Sequence, residues 1–198
     1  MPIKLKVAHP EDNHIDIAPA FLEAGNGAIT IDGKGNTVRI GVPQLCSNIY
    51  FHLHGGATLE IGDHCIFGTV QIHILCADGA VRIGTFCGFN GTSMLTVHEP
   101  AQIVLGAECL IASNVTMMAS DVHHIYSLDT GERLNKAADI VLGERVWVAA
   151  GASILKDTHI GSDSVVGLGA VVSGRFPSNC ILAGMPARVV RERIRWQR

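Results

Sequence analysis

Two adjacent histidines, His123 and His124, are the residues whose type and position best suit catalysis. They lie at the start of a polar segment that also contains Asp121. An imidazole, with an unperturbed pKa of about 6.5, can act as a general base toward a poor nucleophile such as an alcohol. Asp121 is interpreted either as a residue that orients the base or holds an acceptor, or as an ordinary loop-turn aspartate.

The segment matters because it interrupts a repeat of period six. From position 142 onward, every sixth residue is aliphatic: Leu142, Val148, Ile154, Ile160, Val166 and Val172. Neither the helical period of about 3.6 nor the strand period of about 2 produces this spacing. A period of six with glycine-rich corners is typical of a parallel β-helix, in which three hexads make one triangular coil.

The same ladder runs earlier in the chain with longer corners. Ile61, Ile83 and Leu105 are each followed by Gly and lie 22 residues apart. From Leu105 to Leu142 the spacing is 37 residues, which is 19 more than a coil of 18. The extra residues must leave the prism, so the repeat itself predicts an excursion loop over residues 120–137, where the two histidines lie.

The pattern predicts an all-β chain, a parallel β-helix of about seven to eight triangular coils. Residues 1–28 have no clear period and are predicted to form an N-terminal lead-in or cap, since an open β-helix end exposes unpaired backbone. The β-helix domain is predicted over 29–182. Residues 183–198 are predicted as a short C-terminal helical tail, with Pro186 near its first turn.

Composition narrows the class of protein. The 198 residues suit one domain, and only 17% of them are charged, yet no run of 18 apolar residues is present. A membrane span is therefore not expected. The first residues lack the apolar core of a signal peptide, which favours a cytoplasmic protein. A net charge of -3 gives no reason to expect nucleic-acid binding.

The cysteines are interpreted as small core residues rather than metal ligands. Cys65, Cys87 and Cys109 each lie four residues after the leading Ile or Leu of a coil. Since stacked coils are about 4.8 Å apart, these three should form a vertical ladder of buried thiols. No CxxC pair is present, which argues against zinc. His9 and His14 have metal-like spacing but precede the first coil, so no metal is expected.

Three stretches resemble the hexapeptide-repeat, left-handed β-helix acyltransferases: IVLGERVWVAAGASIL, IGSDSVVGLGAVV and ILAGMPARVVRERI. The resemblance covers roughly residues 61–194, and the last stretch is similar to the closing signature of that family. The loop ASDVHHIYSLDTGERLN looks most like that of polysaccharide O-acetyltransferases, beside the galactoside and xenobiotic types. The resemblance implies a left-handed coil, a homotrimer, acetyl-coenzyme A as donor and a hydroxyl acceptor.

The resemblance also suggests roles for single residues. His123 matches the catalytic base, and His124 occupies the position where the family usually has Pro, which leaves His124 as the alternative base or a pocket residue. Asn90 matches an asparagine that contacts acceptor in some relatives, or it is a corner residue. Trp147 matches the tryptophan of a VWI motif and is expected beside the acyl channel.

For coenzyme A, the resemblance points to residues on successive coil corners and in the tail: Ala150, Leu168, Ser173, Arg188 and Arg191. Backbone groups at the corners would pair with the pantetheine arm, and the two guanidinium groups would meet phosphates. The alternative for the arginines is a solvated helix face. Relatives often have Thr-Lys where this chain has Ser173-Gly174, so the positive charge moves to Arg175.

Two other classes of protein use a similar prism. A γ-type carbonic anhydrase needs three zinc histidines per site, usually with an HxxxxH on the coils, and the coils of this chain lack that spacing. A non-catalytic β-helix scaffold would need neither a histidine-bearing excursion nor terminal arginines. Metal analysis separates the first class from an acetyltransferase, and coenzyme A binding separates the second.

Overall fold

The computed structural model describes residues 2–198, which contain nineteen strands and one short α-helix. The elements up to residue 74 are β1 (Lys4–Val7), β2 (His14–Ile17), α1 (Pro19–Glu23), β3 (Asn26–Asp32), β4 (Thr37–Ile40), β5 (Leu45–His54), β6 (Thr58–Ile61) and β7 (Ile66–Ile74). Those up to residue 148 are β8 (Ala80–Ile83), β9 (Gly88–Val97), β10 (Gln102–Leu105), β11 (Leu110–Ile111), β12 (Val115–Met118), β13 (Ile140–Leu142) and β14 (Trp147–Val148). The last are β15 (Ser153–Ile160), β16 (Val165–Val166), β17 (Val171–Phe176), β18 (Ile181–Gly184) and β19 (Ala187–Arg191).

These strands stack into a triangular prism of about eight turns with three faces. Face A consists of β2, β4, β6, β8, β10, β13 and the ends of β15 and β17. Face B consists of β11, β14, β16, β18 and the first residues of β5, β7 and β9. Face C consists of β1, β3, β12, the remainder of β5, β7 and β9, and the starts of β15 and β17. Among these described strands every pairing is parallel except that of β18 with β19.

The residues of the hexad repeat fill the inside of the prism, as predicted. All six positions from Leu142 to Val172 are at most 3% exposed. In the earlier coils Phe67 and Phe89 take the corresponding face B position, and their rings stack with centroids 5.5 Å apart. Each inward side chain therefore contacts its counterpart in the next coil, which is how a chain with few aromatics builds a continuous core.

The predicted thiol ladder is confirmed. Cys65, Cys87 and Cys109 are fully buried free thiols in three successive coils. Each sulfur donates to a glycine carbonyl of the next coil, and each of these three Sγ–O distances is 3.2 Å. The thiols thus act as small inward residues whose weak donor is satisfied by the neighbouring corner.

The coils begin earlier than residue 29, where the sequence pattern placed their start. β1 pairs with β3 and β2 pairs with β4, both in parallel register, so residues 4–23 already form an incomplete coil. In that coil α1 occupies the position of face B. Its Phe21 is fully buried, with its ring 5.8 Å from that of Phe67 and 6.3 Å from that of Phe51. This helix therefore closes the N-terminal end of the prism.

The predicted C-terminal helix is wrong. After β18 the chain reverses at Met185-Pro186 and forms β19, which pairs with β18 in antiparallel register. The physical reason is the open edge of the last coil: the backbone of β18 needs hydrogen-bond partners, and pairing satisfies more of them than a separate helix would. Leu182 faces Val189 in this register, and Ala187 is buried.

Residues 192–198 then run back along the edge between faces A and B. Trp196 donates from Nε1 to the carbonyl of Arg145 at 2.8 Å, and its ring lies 6.0 Å from that of Trp147. Arg198 donates to the carbonyl of Phe86 at 2.9 Å. The tail thus packs against the prism, as its apolar positions suggested, although not as a helix. Within the described residues, no helix is long and apolar enough to cross a membrane.

Candidate active site

The excursion leaves the prism after β12 and returns at β13, at the edge between faces C and A, which we call the loop edge. Its outer part is a small hairpin, in which Tyr126 and Arg133 form an antiparallel bridge. Leu134 donates to the carbonyl of Ile125 at 2.8 Å. The hydroxyl of Ser127 accepts from two backbone amides in the turn. The loop therefore has its own hydrogen-bonded structure.

Asn135 ties the base of this hairpin together. The side chain is buried, at 8% exposure, and its amide nitrogen donates to Oδ2 of Asp121 at 2.9 Å and to the carbonyl of His123 at 2.7 Å. Its amide oxygen accepts from the backbone of Ile125 at 2.7 Å. One buried amide thus fixes the backbone on both sides of the histidine pair, and losing it would leave several polar groups unsatisfied.

The backbone just before His123 is strained. Val122 has a φ of 65°, a conformation that is an outlier for a β-branched residue. The amide of His123 donates to the carbonyl of Asp121 at 2.6 Å, which closes a three-residue turn of the rare, positive-φ γ type. Such strain costs on the order of 1–3 kcal/mol and persists only where surrounding contacts enforce it.

A second anchor joins the loop to the coil below it. Arg133 binds Glu99 through two nitrogens, with Nη2 donating to Oε1 at 2.8 Å, and both side chains are 18% exposed. The guanidinium of Arg133 holds the pKa of Glu99 below its usual range, and Glu99 in turn raises the pKa of Arg133. Since the pair is bidentate and largely shielded from water, it fixes the loop more firmly than a surface ion pair would.

The two candidate bases differ in their surroundings. His124 has Nδ1 3.1 Å from the hydroxyl of Tyr126 and Nε2 3.9 Å from a carboxylate oxygen of Glu99, so both of its nitrogens face protein groups. The imidazole of His123 is exposed and has no hydrogen-bond or ionic partner within residues 2–198. The structure therefore leaves the His123 imidazole open to an incoming molecule.

Asp121 does not orient the imidazole of His123. Its carboxylate pairs with the ammonium of Lys156 and with the amide of Asn135. These two hydrogen bonds, from Lys156 first, lower the pKa of Asp121. Asp121 is thus a loop anchor, which supports His123 through the backbone turn rather than through the ring.

Unpartnered buried polar atoms cluster at the same place. Within the described chain there are three buried side-chain nitrogen or oxygen atoms without a hydrogen-bond partner: Oγ1 of Thr96, Oγ of Ser120 and Nε of Arg133. Ser120 and Arg133 belong to the excursion, and Thr96 is in contact with its start through the bond from Ala119. An unsatisfied buried group costs about 1–3 kcal/mol, so desolvation cost is concentrated at the seat of the loop.

Asn90, expected to contact the acceptor, and two of the residues expected to bind the donor lie elsewhere on the prism. Asn90, Ala150 and Leu168 share the edge between faces B and C, which we call the far edge. Leu168 is 80% exposed there, whereas the carbonyl of Ala150 already accepts from Gly169 at 2.9 Å. The carbonyl of Asn90 accepts from Ser113 at 2.8 Å. Within one chain, face C separates these residues from His123.

Ser173 and the tail residues occupy two further places. Ser173 lies on the loop edge, one coil beyond Lys156, whose carbonyl is 3.5 Å from the Ser173 hydroxyl. Arg188 and Arg191 are exposed on β19, at the end of face B. Trp147 projects from face B and is 37% exposed beside Trp196. One chain therefore brings together the expected donor residues only in part.

Among residues 2–198, one group of side chains has the spacing to hold a metal ion: His9, Glu11 and Asp12. All three are exposed and lie in the turn before β2. His14, which the sequence pattern paired with His9, is not in the group. This turn is at the N-terminal end of the prism, remote in the coil order from the excursion.

Three residues that hold the loop in place were not identified from the sequence. Asn135 stands at the end of the loop motif, and its place there was the available signal. No sequence signal pointed to Lys156 and Glu99, because their proximity to the loop depends on how the coils stack. Met118, just before the loop, aligns with Leu155 in the next coil and with Thr96 in the preceding one. Residues that follow these strands therefore leave face C side by side.

The chain is similar in sequence to known sugar O-acetyltransferases. It is 37% identical over 108 residues to the polysialic acid O-acetyltransferase of Escherichia coli O1:K1, covering 54% of this chain and 35% of that protein. It is 35% identical over 109 residues to the galactoside O-acetyltransferase of Escherichia coli K12, covering 54% of this chain and 50% of that protein. The chain thus spans about a third of the length of the first relative and half of the length of the second. No family model matches the chain.

The fold has a solved counterpart. The structure of the polysialic acid O-acetyltransferase OatWY superposes with a TM-score of 0.83 and 29% identity, over 100% of this chain and 92% of that one. The fold is the left-handed parallel β-helix of its structural neighbours, which are hexapeptide-repeat acetyltransferases. The resemblance found in the sequence is therefore confirmed.

The Glu99–Arg133 anchor predicts how the loop responds to acid. Because the pKa of Glu99 is lowered in the folded state, its contribution is complete above the usual glutamate value of about 4.3 and is lost only as the pH falls through the lower, folded value. The protection factors of the amides of residues 125–134, which correct for the intrinsic pH dependence of exchange, should stay constant on acidification to about pH 4 and fall below it.

Glu99→Gln is the matched variant, because it removes the charge and keeps the shape. Its loop should have lower protection factors already at neutral pH, and these should change less than those of the wild type as the pH crosses the glutamate range. A variant loop that exchanges like the wild type at neutral pH would mean that this ion pair is not an anchor.

Proposed function

We propose that this chain transfers an acetyl group from acetyl-coenzyme A to a hydroxyl of a sugar or polysaccharide precursor, with His123 as the general base. The observation that carries the proposal is the exposed, unpartnered imidazole of His123 on a loop whose backbone is fixed by Asn135. It occurs in a fold shared with O-acetyltransferases.

The chemistry needs one base at the right place. The neutral imidazole accepts the proton of the acceptor hydroxyl as its oxygen attacks the thioester carbonyl, and the C–O bond forms. The tetrahedral intermediate then collapses, the C–S bond breaks, and the leaving thiolate takes the proton back from the imidazolium. A rigid loop supports this reaction because positioning of the base is part of the rate enhancement.

The relatives support the choice of acceptor. Their names state polysialic acid and galactoside as substrates, which share a sugar hydroxyl as the acetylated group. For the donor, the residues singled out by the resemblance are Ala150, Leu168, Ser173, Arg188 and Arg191. Arg191 has an exposed guanidinium, and Leu168 offers an exposed apolar side chain to the pantetheine arm.

The distribution of these residues suggests a site shared between copies. His123 lies on the loop edge, whereas Asn90 and Leu168 lie on the far edge of the same chain. A rigid prism with one protruding loop completes such a site when the loop edge of one copy meets the far edge of the next around a closed ring. We therefore include a homotrimer in the proposal.

The assembly predicts a mass in solution. Light scattering at micromolar protein should give about three times the 21.0 kDa of the chain. His123→Ala, which changes a side chain without partners, should give the same mass and serves as a control for later assays. A wild-type mass of one chain would contradict the shared site.

The base predicts the effect of two alanine variants. Removing a general base typically costs about 10²–10⁴-fold, so His123→Ala should lower kcat by that factor while the donor KM changes little. His124→Ala should cost less, because its ring contacts Tyr126 and Glu99 rather than open space. The measurement is thiol release from acetyl-coenzyme A with a panel of sugars.

The two histidine variants control each other. Full activity of His123→Ala with an inactive His124→Ala would assign the base to His124. Full activity of both variants would contradict the mechanism.

The tail arginines predict a separate effect on the donor. Arg188→Ala combined with Arg191→Ala should raise the KM for acetyl-coenzyme A more than the KM for the sugar, because guanidinium groups bind phosphates. Lys4→Ala combined with Lys6→Ala, both exposed on β1 at the N-terminal end of the prism, is the matched control with the same loss of two charges. An unchanged donor KM in the double variant would remove the phosphate role from these residues.

A further inference from the structure

The outward side of face C carries a row of polar side chains below the loop. In β3, β5, β7 and β9 the aligned outward residues are Thr30, His52, His73 and Thr96. Their neighbours along each strand point into the core. Within this row, His52 contacts the carboxylate of Asp32 on β3, and its Nε2 lies 2.8 Å from Oδ2 of Asp32. The acetyl-transfer mechanism uses none of these residues.

A cavity of about 210 Å³ opens on this row. Its polar and aromatic lining comes from Asp32, Tyr50, His52 and His73, with Thr30 between them. Tyr50 is 48% exposed, so a face of its ring is free to pack against a ligand. A cavity with one aromatic wall and convergent hydrogen-bonding groups has the form of a small-molecule site.

The charge of the cavity limits what can bind. Burial, followed by the nearby His52 and His98, lowers the pKa of His73, so this imidazole is neutral near pH 7 with one donor and one acceptor nitrogen. Among the lining residues, Asp32 carries a carboxylate, and none is a Lys or Arg. A carboxylate or phosphate would be repelled, whereas hydroxyl groups would find donors and acceptors.

The row runs toward the candidate active site. Strands of successive coils are about 4.8 Å apart, and β12, after which the loop leaves, is two coils beyond β7. His73 is therefore about 10 Å below the start of the excursion. His98 lies two residues after Thr96, just beyond the end of β9 and next to Glu99, which contacts both Arg133 and His124. A chain-like acceptor bound at the loop can reach the cavity along this face.

We propose that the cavity between Asp32, Tyr50 and His73 is a remote subsite for an uncharged sugar ring of the acceptor glycan. Tyr50 packs against the apolar face of the ring, and Asp32 and His73 bind its hydroxyls. The subsite rests on the proposed function only for its purpose, which is to hold the acceptor chain while a terminal or neighbouring unit reaches His123.

Binding without donor tests the subsite directly. Titration calorimetry should show that neutral galactose oligosaccharides bind more tightly than sialic acid oligosaccharides of the same length. Tyr50→Ala and Asp32→Asn should each weaken binding of the neutral probe about fivefold to tenfold, the loss expected for one packed ring or one charged hydrogen bond. Tyr50→Phe, which keeps the ring, should bind nearly as the wild type does.

Two matched controls lie outside the cavity. Phe86→Ala removes an equally exposed aromatic ring, 47% against 48%, from the edge between faces A and B. Asp12→Asn removes an exposed carboxylate that pairs with Lys34 at the N-terminal end. Both variants should bind the neutral probe like the wild type. Equal binding by Tyr50→Ala and the wild type, or preference for the acidic probe, would overturn the subsite.

Acetyl transfer separates the subsite from the proposed function. In Tyr50→Ala the KM for long neutral acceptors should rise by the same factor as the Kd, while the KM for a disaccharide and the donor KM stay unchanged. Transfer that proceeds without this dependence on length would contradict the subsite and leave the function standing. Tyr50-dependent binding without transfer to any sugar would contradict the function and leave the subsite standing.

Discussion

The fold depends on one contact that repeats along the axis: each inward side chain lies on its own counterpart in the next coil, at the spacing of hydrogen-bonded strands. Ile83, Leu105 and Leu142 illustrate it, since they align in register and are at most 3% exposed. The constraint is strict because parallel register links every residue to the one above it. The excursion loop, α1 and β19 interrupt this stacking, and each of them lies at an edge or an end of the prism.

The excursion is the largest departure, and its energetics differ from those of the coils. The coils are stabilised by burial and by complete backbone pairing. The loop instead combines a strained Val122, unpartnered polar atoms at its seat and two polar anchors, Asn135 and the Glu99–Arg133 pair. A protein usually keeps strain and unsatisfied groups where function requires them. This contrast supports the proposal of a functional site on the loop, independently of its histidines.

The sequence was informative wherever the repeat alone decides the outcome. The period of six placed the core, the thiol ladder and the start of the excursion, because each follows from counting along one chain. It could not reveal that Lys156 binds Asp121, since that pair joins residues of two coils and depends on how the edges align.

The prediction of a C-terminal helix failed for a related reason. The composition of the tail favours a helix. Antiparallel pairing with the open edge of β18 outweighs this local preference, because it gives the exposed backbone of that strand hydrogen-bond partners. Pairing between strands of this kind cannot be predicted from the spacing of apolar residues along the chain. The same holds for Tyr50, His52 and His73, whose common cavity appears only once three strands are in register.

The two covered ends have a consequence for how copies can meet. A stacked parallel solenoid with bare ends would offer its terminal strands as templates, and copies would add end to end into fibres. Here Phe21 fills the prism at one end, and β19 occupies the pairing edge of β18 at the other. On face B, end-to-end pairing of copies is thereby obstructed at both ends, which favours association along the sides of the prism, where contacts can close into rings of limited size.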